Sequence, residues 1–80
     1  MSKHGKTLIQ IRERNGGLHW NKVEALLRNL GGEFTEGRRG SVRIAIKGRR
    51  MTVHRPHPRP ECGRGLVTRI RELLDDIGEL

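Results

Sequence analysis

Apolar residues along this chain follow two different periods. Between Trp20 and Leu30, the residues Trp20, Val23, Leu27 and Leu30 fall at i, i+3, i+7 and i+10, and Leu26 widens the stripe. That spacing predicts a helix with one buried face. Glu24 and Arg28 form an i,i+4 pair in the favourable order, and Gly31-Gly32 supplies a left-handed exit. From Gly65 to Ile77 the same period returns in Leu66, Val67, Ile70, Leu73, Leu74 and Ile77, a broad stripe that predicts the last helix. Arg69 and Arg71 fall on its outer side, and Asp75-Asp76 near its C-terminus oppose the helix dipole.

Between these helices the period drops to two. Val42, Ile44 and Ile46 alternate with Ser41, Arg43, Ala45 and Lys47, and Met51 and Val53 alternate with Arg50, Thr52 and His54. The pattern predicts strands over Ser41–Lys47 and Arg50–Arg55. A two-residue turn at Gly48-Arg49 would pair Ile46 with Met51 and Ile44 with Val53. The opposite face would then hold Arg43, Lys47, Arg50, Thr52 and His54. Glu33–Glu36 reads as a short strand with Phe34 inward, joined to the next by a basic turn at Gly37–Gly40. Pro56, Pro58 and Pro60 forbid an internal strand, so residues 56–64 are expected to be an extended loop. Thr7–Arg14 is a candidate short helix stopped by Asn15-Gly16-Gly17, too short to be stable alone.

The order (α)-α-β-β-β-α gives the expected fold class: α+β, a three-stranded antiparallel sheet with its helices on one face, the topology of double-stranded-RNA-binding domains. At 80 residues the chain is expected to form one domain, with residues 20–78 as the core and 1–17 as an N-terminal extension or short helix.

Composition adds a partner class. The formal net charge is +8, with 17 Lys+Arg against 9 Asp+Glu, the electrostatic footprint of a nucleic-acid binder or of a domain that docks on an acidic protein. Cys62 is the one cysteine, so no internal disulfide is expected. No apolar run approaches the ~20 residues of a membrane span, and Met1–Gly5 leads into no signal-peptide core. The expected compartment is the cytoplasm.

The candidate chemistry lies in residues 37–60. Arg38, Arg39, Arg43, Lys47, Arg49, Arg50, Arg55 and Arg59 occupy the turns, the outward strand face and the following loop, with Ser41 at the strand start. Guanidinium forks match phosphate oxygens bidentately. The hairpin carries no aromatic residue on which bases could stack, so binding would rest on the RNA backbone and on shape. His54 and His57 can move protons near neutral pH, beside cations that hold a phosphate. The bland alternatives are a solvated charged face and histidines bonded only to backbone. His54, His57 and Cys62 lack a clear fourth ligand, so no metal site is expected. Gly37-Arg38-Arg39-Gly40 has the form of a GXXG clamp, but it joins two strands and reads as a basic turn. His4 and His19 read as surface residues.

Three blocks carry a resemblance to a family. They are Val23-Glu24-Ala25-Leu26-Leu27-Arg28-Asn29-Leu30-Gly31-Gly32-Glu33-Phe34, then Gly40-Ser41 with its strand, then Thr52-Val53-His54-Arg55-Pro56-His57-Pro58 leading into the helix Gly65–Gly78. In order and spacing they resemble the HicA (YcfA-like) toxins of bacterial HicA–HicB toxin–antitoxin pairs. The resemblance implies a dsRNA-binding-like fold, an mRNA endonuclease activity that blocks translation, and a HicB-like antitoxin as partner. The family histidine follows its Gly-Ser pair; here Val42 stands at that position, on the inward face. Catalysis would then fall to His54 and His57, with no metal or other cofactor, because the 2′-hydroxyl of RNA can be the nucleophile. The alternatives are a non-catalytic RNA-binding module of the same fold and a basic domain that meets only an acidic partner protein.

Overall fold

The structure, a computed structural model, describes residues 3–13 and 16–80. Its elements are α1 (Lys3–Glu13), β1 (Leu18–His19), α2 (Trp20–Asn29), β2 (Glu33–Glu36), β3 (Ser41–Ile46), β4 (Arg49–His54), β5 (Glu61–Cys62) and α3 (Arg64–Asp76). The class is α+β, with β2, β3 and β4 forming an antiparallel sheet in that order and β1 pairing with β5 in a second, two-stranded one. No helix among the described residues is long and apolar enough to cross a membrane.

Helices α2 and α3 end as the glycines dictate. Leu30 caps α2, Gly31 takes φ +94°, and the amides of Gly31 and Gly32 donate to the carbonyls of Arg28 and Leu27. Gly78 and Glu79 repeat the same pair of bonds, to Asp75 and Leu74, at the end of α3. These paired bonds satisfy carbonyls that a helix end otherwise leaves open. Gly32 is further constrained, because a Cβ there would lie 2.7 Å from the Leu27 carbonyl oxygen. At the other end of α2, His19 accepts a hydrogen bond at Nδ1 from the Asn21 amide, 3.2 Å away. This surface histidine is therefore an N-cap.

The alternation in the hairpin orients the sheet as expected. Val42, Ile44, Ile46 and Val53 are buried, and they pack with Val23, Leu26 and Leu27 of α2 and Val67, Ile70 and Leu74 of α3 in one contiguous cluster. The pairing itself corrects the expected register by two residues. Ile44 faces Met51 and Val42 faces Val53, while Ile46 faces Arg49 across the turn. The turn is Lys47-Gly48, both with positive φ, at +46° and +81°. Two left-handed residues match the twist of a two-residue hairpin, and glycine takes the second without strain. A turn at Gly48-Arg49 would have moved that demand onto Arg49. Because the correction is an even number of residues, the side chains within both strands keep their predicted faces, while Lys47, expected on the outward strand face, falls in the turn instead.

Two further elements depart from the expected pattern. Helix α1 begins at Lys3, four residues before Thr7. Arg14 and Asn15, the expected helix end and first stop residue, lie outside the described residues. Ile11 and Thr7 are buried where α1 packs on α2 and α3, and Arg71 Nε of α3 donates to the Ile11 carbonyl at 3.0 Å. In the expected loop 56–64, Glu61 and Cys62 form β5, opposite His19 and Leu18. Gly17 N–H donates to Cys62 O at 3.0 Å and Trp20 N–H to Pro60 O at 2.8 Å, so the proline segment is tied to the start of α2. Cys62 is buried, and burial pushes its thiol up to about 11.

Candidate nucleic-acid interface

The helices cover one side of the sheet and leave the other open. On the open side the register aligns Thr35, Arg43 and Thr52 in one row, and Glu33, Ala45 and Arg50 in the next. Ser41 faces His54 at the end of the sheet. Arg43, Arg50, Thr52 and His54 are exposed, and Ser41 is half-buried. The strand alternation read from the sequence therefore brings Arg43, Arg50, Ser41 and His54 to one surface.

Hydrogen-bond phase refines this arrangement. Arg55 N–H donates to Gly40 O at 3.0 Å. In the β3–β4 register, Gly40 and Arg55 are thus a hydrogen-bonded pair, and so, two steps along, are Val42 and Val53. Ser41 and His54 fall between them as a non-hydrogen-bonded pair. Such pairs bring their side chains closest, with Cβ atoms about 4.5–5.5 Å apart. Ser41 and His54 therefore leave the sheet as close neighbours on the open face. Gly37 lies against this serine, and a Cβ at Gly37 would collide with Ser41 Oγ. Thr35, Gly37, Ser41 and Arg43 line a shallow depression of about 190 Å³ here.

Beyond His54 the chain turns through the proline segment and encloses a second groove of about 400 Å³. His54, His57 and Arg59 line it together with Pro56, Pro58 and Leu66. The two candidate histidines thus share one solvent-open groove, with a guanidinium on its wall. Arg38 and Arg39 are exposed in the β2–β3 turn, with Arg39 at φ +56°, and Arg49 is exposed at the start of β4. The basic-turn reading of Gly37–Gly40 holds.

Two of the candidate cations are engaged elsewhere. Arg55 is hydrogen-bonded to Glu36 and approaches Glu24 at 3.6 Å, on the helix side of the sheet. Its bond to Glu36 raises the Arg55 pKa and lowers that of Glu36. Glu24 also accepts from Trp20 Nε1 at 2.9 Å and from Arg28 Nε at 3.0 Å, and Arg28 lies 4.5 Å over the Phe34 ring. This polar cluster fastens the strand ends to α2, immediately beside the histidine segment. Lys47 turns away from the open face and bonds Glu79 at 3.0 Å, closing the hairpin tip onto the chain after α3. Sequence reasoning could not find these partners, which lie 19 and 32 residues away.

Val42 is fully buried beneath the sheet, so no side chain at that position reaches the open face. Among the described residues no three His, Cys, Asp or Glu side chains gather as a metal-binding group. A family model described as HicA toxin of bacterial toxin-antitoxin matches residues 20–78, from the first residue of α2 to the glycine after α3. No curated protein and no solved structure matches the chain.

Proposed function

This chain belongs to the HicA toxin family, and we propose that it acts as the toxin of a toxin–antitoxin pair by binding and cutting mRNA. One observation carries the reading: the open sheet face that presents Arg43 and Arg50 ends at His54, which shares a groove with His57 and Arg59. Arg43, Arg50, Arg38, Arg39, Arg49 and Arg59 hold the RNA backbone, and no aromatic platform competes for the bases. In the groove, the 2′-hydroxyl of one nucleotide attacks its own 3′-phosphate. One of His54 and His57 takes the 2′-hydroxyl proton and the other gives a proton to the departing 5′-oxygen. The products are a 2′,3′-cyclic phosphate and a 5′-hydroxyl. Arg59 faces the charge that develops on the phosphate, where a fixed cation is most effective. The substrate supplies its own nucleophile, so the reaction requires no metal. The partner on this reading is a HicB-like antitoxin, and the site of action is the cytoplasm.

The test is incubation of purified protein with a long RNA in EDTA. The expected result is cleavage by the wild type and its loss in His54→Ala/His57→Ala, with RNA retention unchanged. Intact RNA under wild-type protein, together with normal growth of cells induced to make it, rejects the enzyme. A second reading, binding without cutting, draws on the burial of Val42 at the position of the family histidine. It predicts salt-dependent retention of RNA with no cleavage by either protein.

A further inference from the structure

Among the described residues no further strand pairs with the β4 edge of the sheet, and its free backbone groups can be assigned. Val53, Met51 and Arg49 exchange hydrogen bonds with β3, because they share the phase of the Arg55–Gly40 bond. Arg50, Thr52 and His54 therefore aim their N–H and C=O groups at the open edge. No bond to any of these amides is present among the described residues. The strand runs six residues without proline, glycine or bulge, so it lacks the usual edge protections except charge. The other edge, β2, is four residues long and carries Glu33 and Glu36.

Helix α3 extends beneath this edge as a floor. Near the hairpin tip, Arg69, Glu72, Leu73 and Asp76 lie against Arg49 to Met51 around a groove of about 230 Å³. At the far end Leu66 and Gly63 floor the histidine groove. A strand added here, at the usual spacing of about 4.8 Å, would set alternate side chains on opposite faces. One set would lie on the open face beside Arg50 and His54, where acidic residues are favoured. The other would lie over the half-buried Met51 and Leu66, which accept apolar side chains, with Arg69, Glu72 and Asp76 of α3 flanking them near the hairpin tip.

We propose that β4 accepts an extended acidic segment of a partner protein as a fourth strand, with acidic and apolar residues alternating. Protein fits this edge better than RNA. The edge offers donors and acceptors together at every second residue, which a peptide backbone answers and a phosphate chain, rich in acceptors, does not. Seated there, the segment runs past His54 and closes the groove. That inhibitory consequence rests on the function proposed above, whereas the docking itself rests on the ladder alone.

The probe is a synthetic eight-residue peptide alternating valine and glutamate, titrated into isotope-labelled protein and followed by NMR. The expected result is a shift of the Arg50, Thr52 and His54 amides and a slowing of their exchange by about tenfold, the effect of one good hydrogen bond. Met51 and Val53, already bonded, should hold their exchange rates. A valine–lysine peptide should bind at least about tenfold more weakly. Thr52→Pro should abolish binding, since it removes an edge donor without touching a β3 bond, and Thr52→Val should retain it. Should Thr52→Pro fail to fold, the contrast in amide exchange on wild-type protein decides. The proposal is overturned if the peptide leaves those three amides unmoved, if both peptides bind alike, or if folded Thr52→Pro binds as the wild type does. It is also overturned if concentrating the protein alone protects the same amides, which would make a second copy the occupant. RNA retention on the same sample reports separately on the function.

Discussion

Salt dependence of RNA binding offers a quantitative test of the open face. The sequence alone presents eight cations in residues 37–60: Arg38, Arg39, Arg43, Lys47, Arg49, Arg50, Arg55 and Arg59. Lys47 and Arg55 are held by Glu79, Glu36 and Glu24, which leaves six for phosphate. Each phosphate neutralised on a single strand contributes a slope of about −0.7 in log K against log salt, so the six give a limit of about −4. Between 50 and 200 mM salt that limit corresponds to a loss of about 300-fold, whereas all eight cations would give about 2,000-fold. The assay is fluorescence anisotropy with a short labelled single-stranded RNA across that range. Arg43→Ala should lower the slope by about 0.7, and Arg55→Gln should leave it unchanged. Equal effects of the two substitutions would refute the division of the cations, and a flat slope would refute the phosphate-binding face altogether.

Further predictions concern the groove, the core and the ion pairs. Removing either His54 or His57 singly should slow cleavage by about 10²–10⁴, the usual worth of a general acid or base, as read by single-turnover kinetics. Equal rates in wild type and both variants would exclude these residues. Ile44→Ala removes fully buried atoms at the centre of the sheet and should cost about 2–5 kcal/mol in urea titrations, a large part of the total stability of a domain this small. Cys62, buried and with its thiol pushed up to about 11, should react with a thiol reagent at neutral pH only as fast as the protein opens. Rapid labelling of the native protein would contradict its placement in β5. The Glu36 carboxyl is held below its ordinary value by its hydrogen bond to Arg55. Its contribution is therefore complete above the unfolded value near 4.5 and is lost as pH falls through the lower folded value. Arg55→Gln should flatten the acid limb of a Tm–pH profile, and a limb parallel to that of the wild type would contradict the pairing.

Legibility in the sequence followed the range of the interactions. Helices α2 and α3 declare themselves through long apolar stripes, and α2 also through the Gly31-Gly32 exit, since those signals are local. The hairpin faces were legible because a period of two survives any even shift in pairing. The pairing was not, because the choice between Lys47-Gly48 and Gly48-Arg49 depends on which residue accepts positive φ. Two-residue strands such as β1 and β5 have no period to read, and three prolines hid the second of them. The start of α1 was missed because Lys3–Lys6 carry no apolar stripe. In the candidate site, alternation sufficed to bring Arg43, Arg50 and His54 together. The diversion of Arg55 and Lys47 depends on carboxylates distant in sequence, which only the folded chain brings near.

RNA is expected to meet the open sheet face and the histidine groove. Chemical-shift mapping with a 2′-O-methyl RNA, which binds but offers no nucleophile, tests it most directly. A rival surface exists on the helix side, where His4, Lys6 and Lys22 line a cavity of about 370 Å³ between α1 and α2. Shifts are expected at Ser41, Arg43, Arg50, His54, His57 and Arg59, with Lys6 and Lys22 undisturbed. Shifts confined to Lys6, Lys22 and their neighbours, with the sheet face silent, would contradict it.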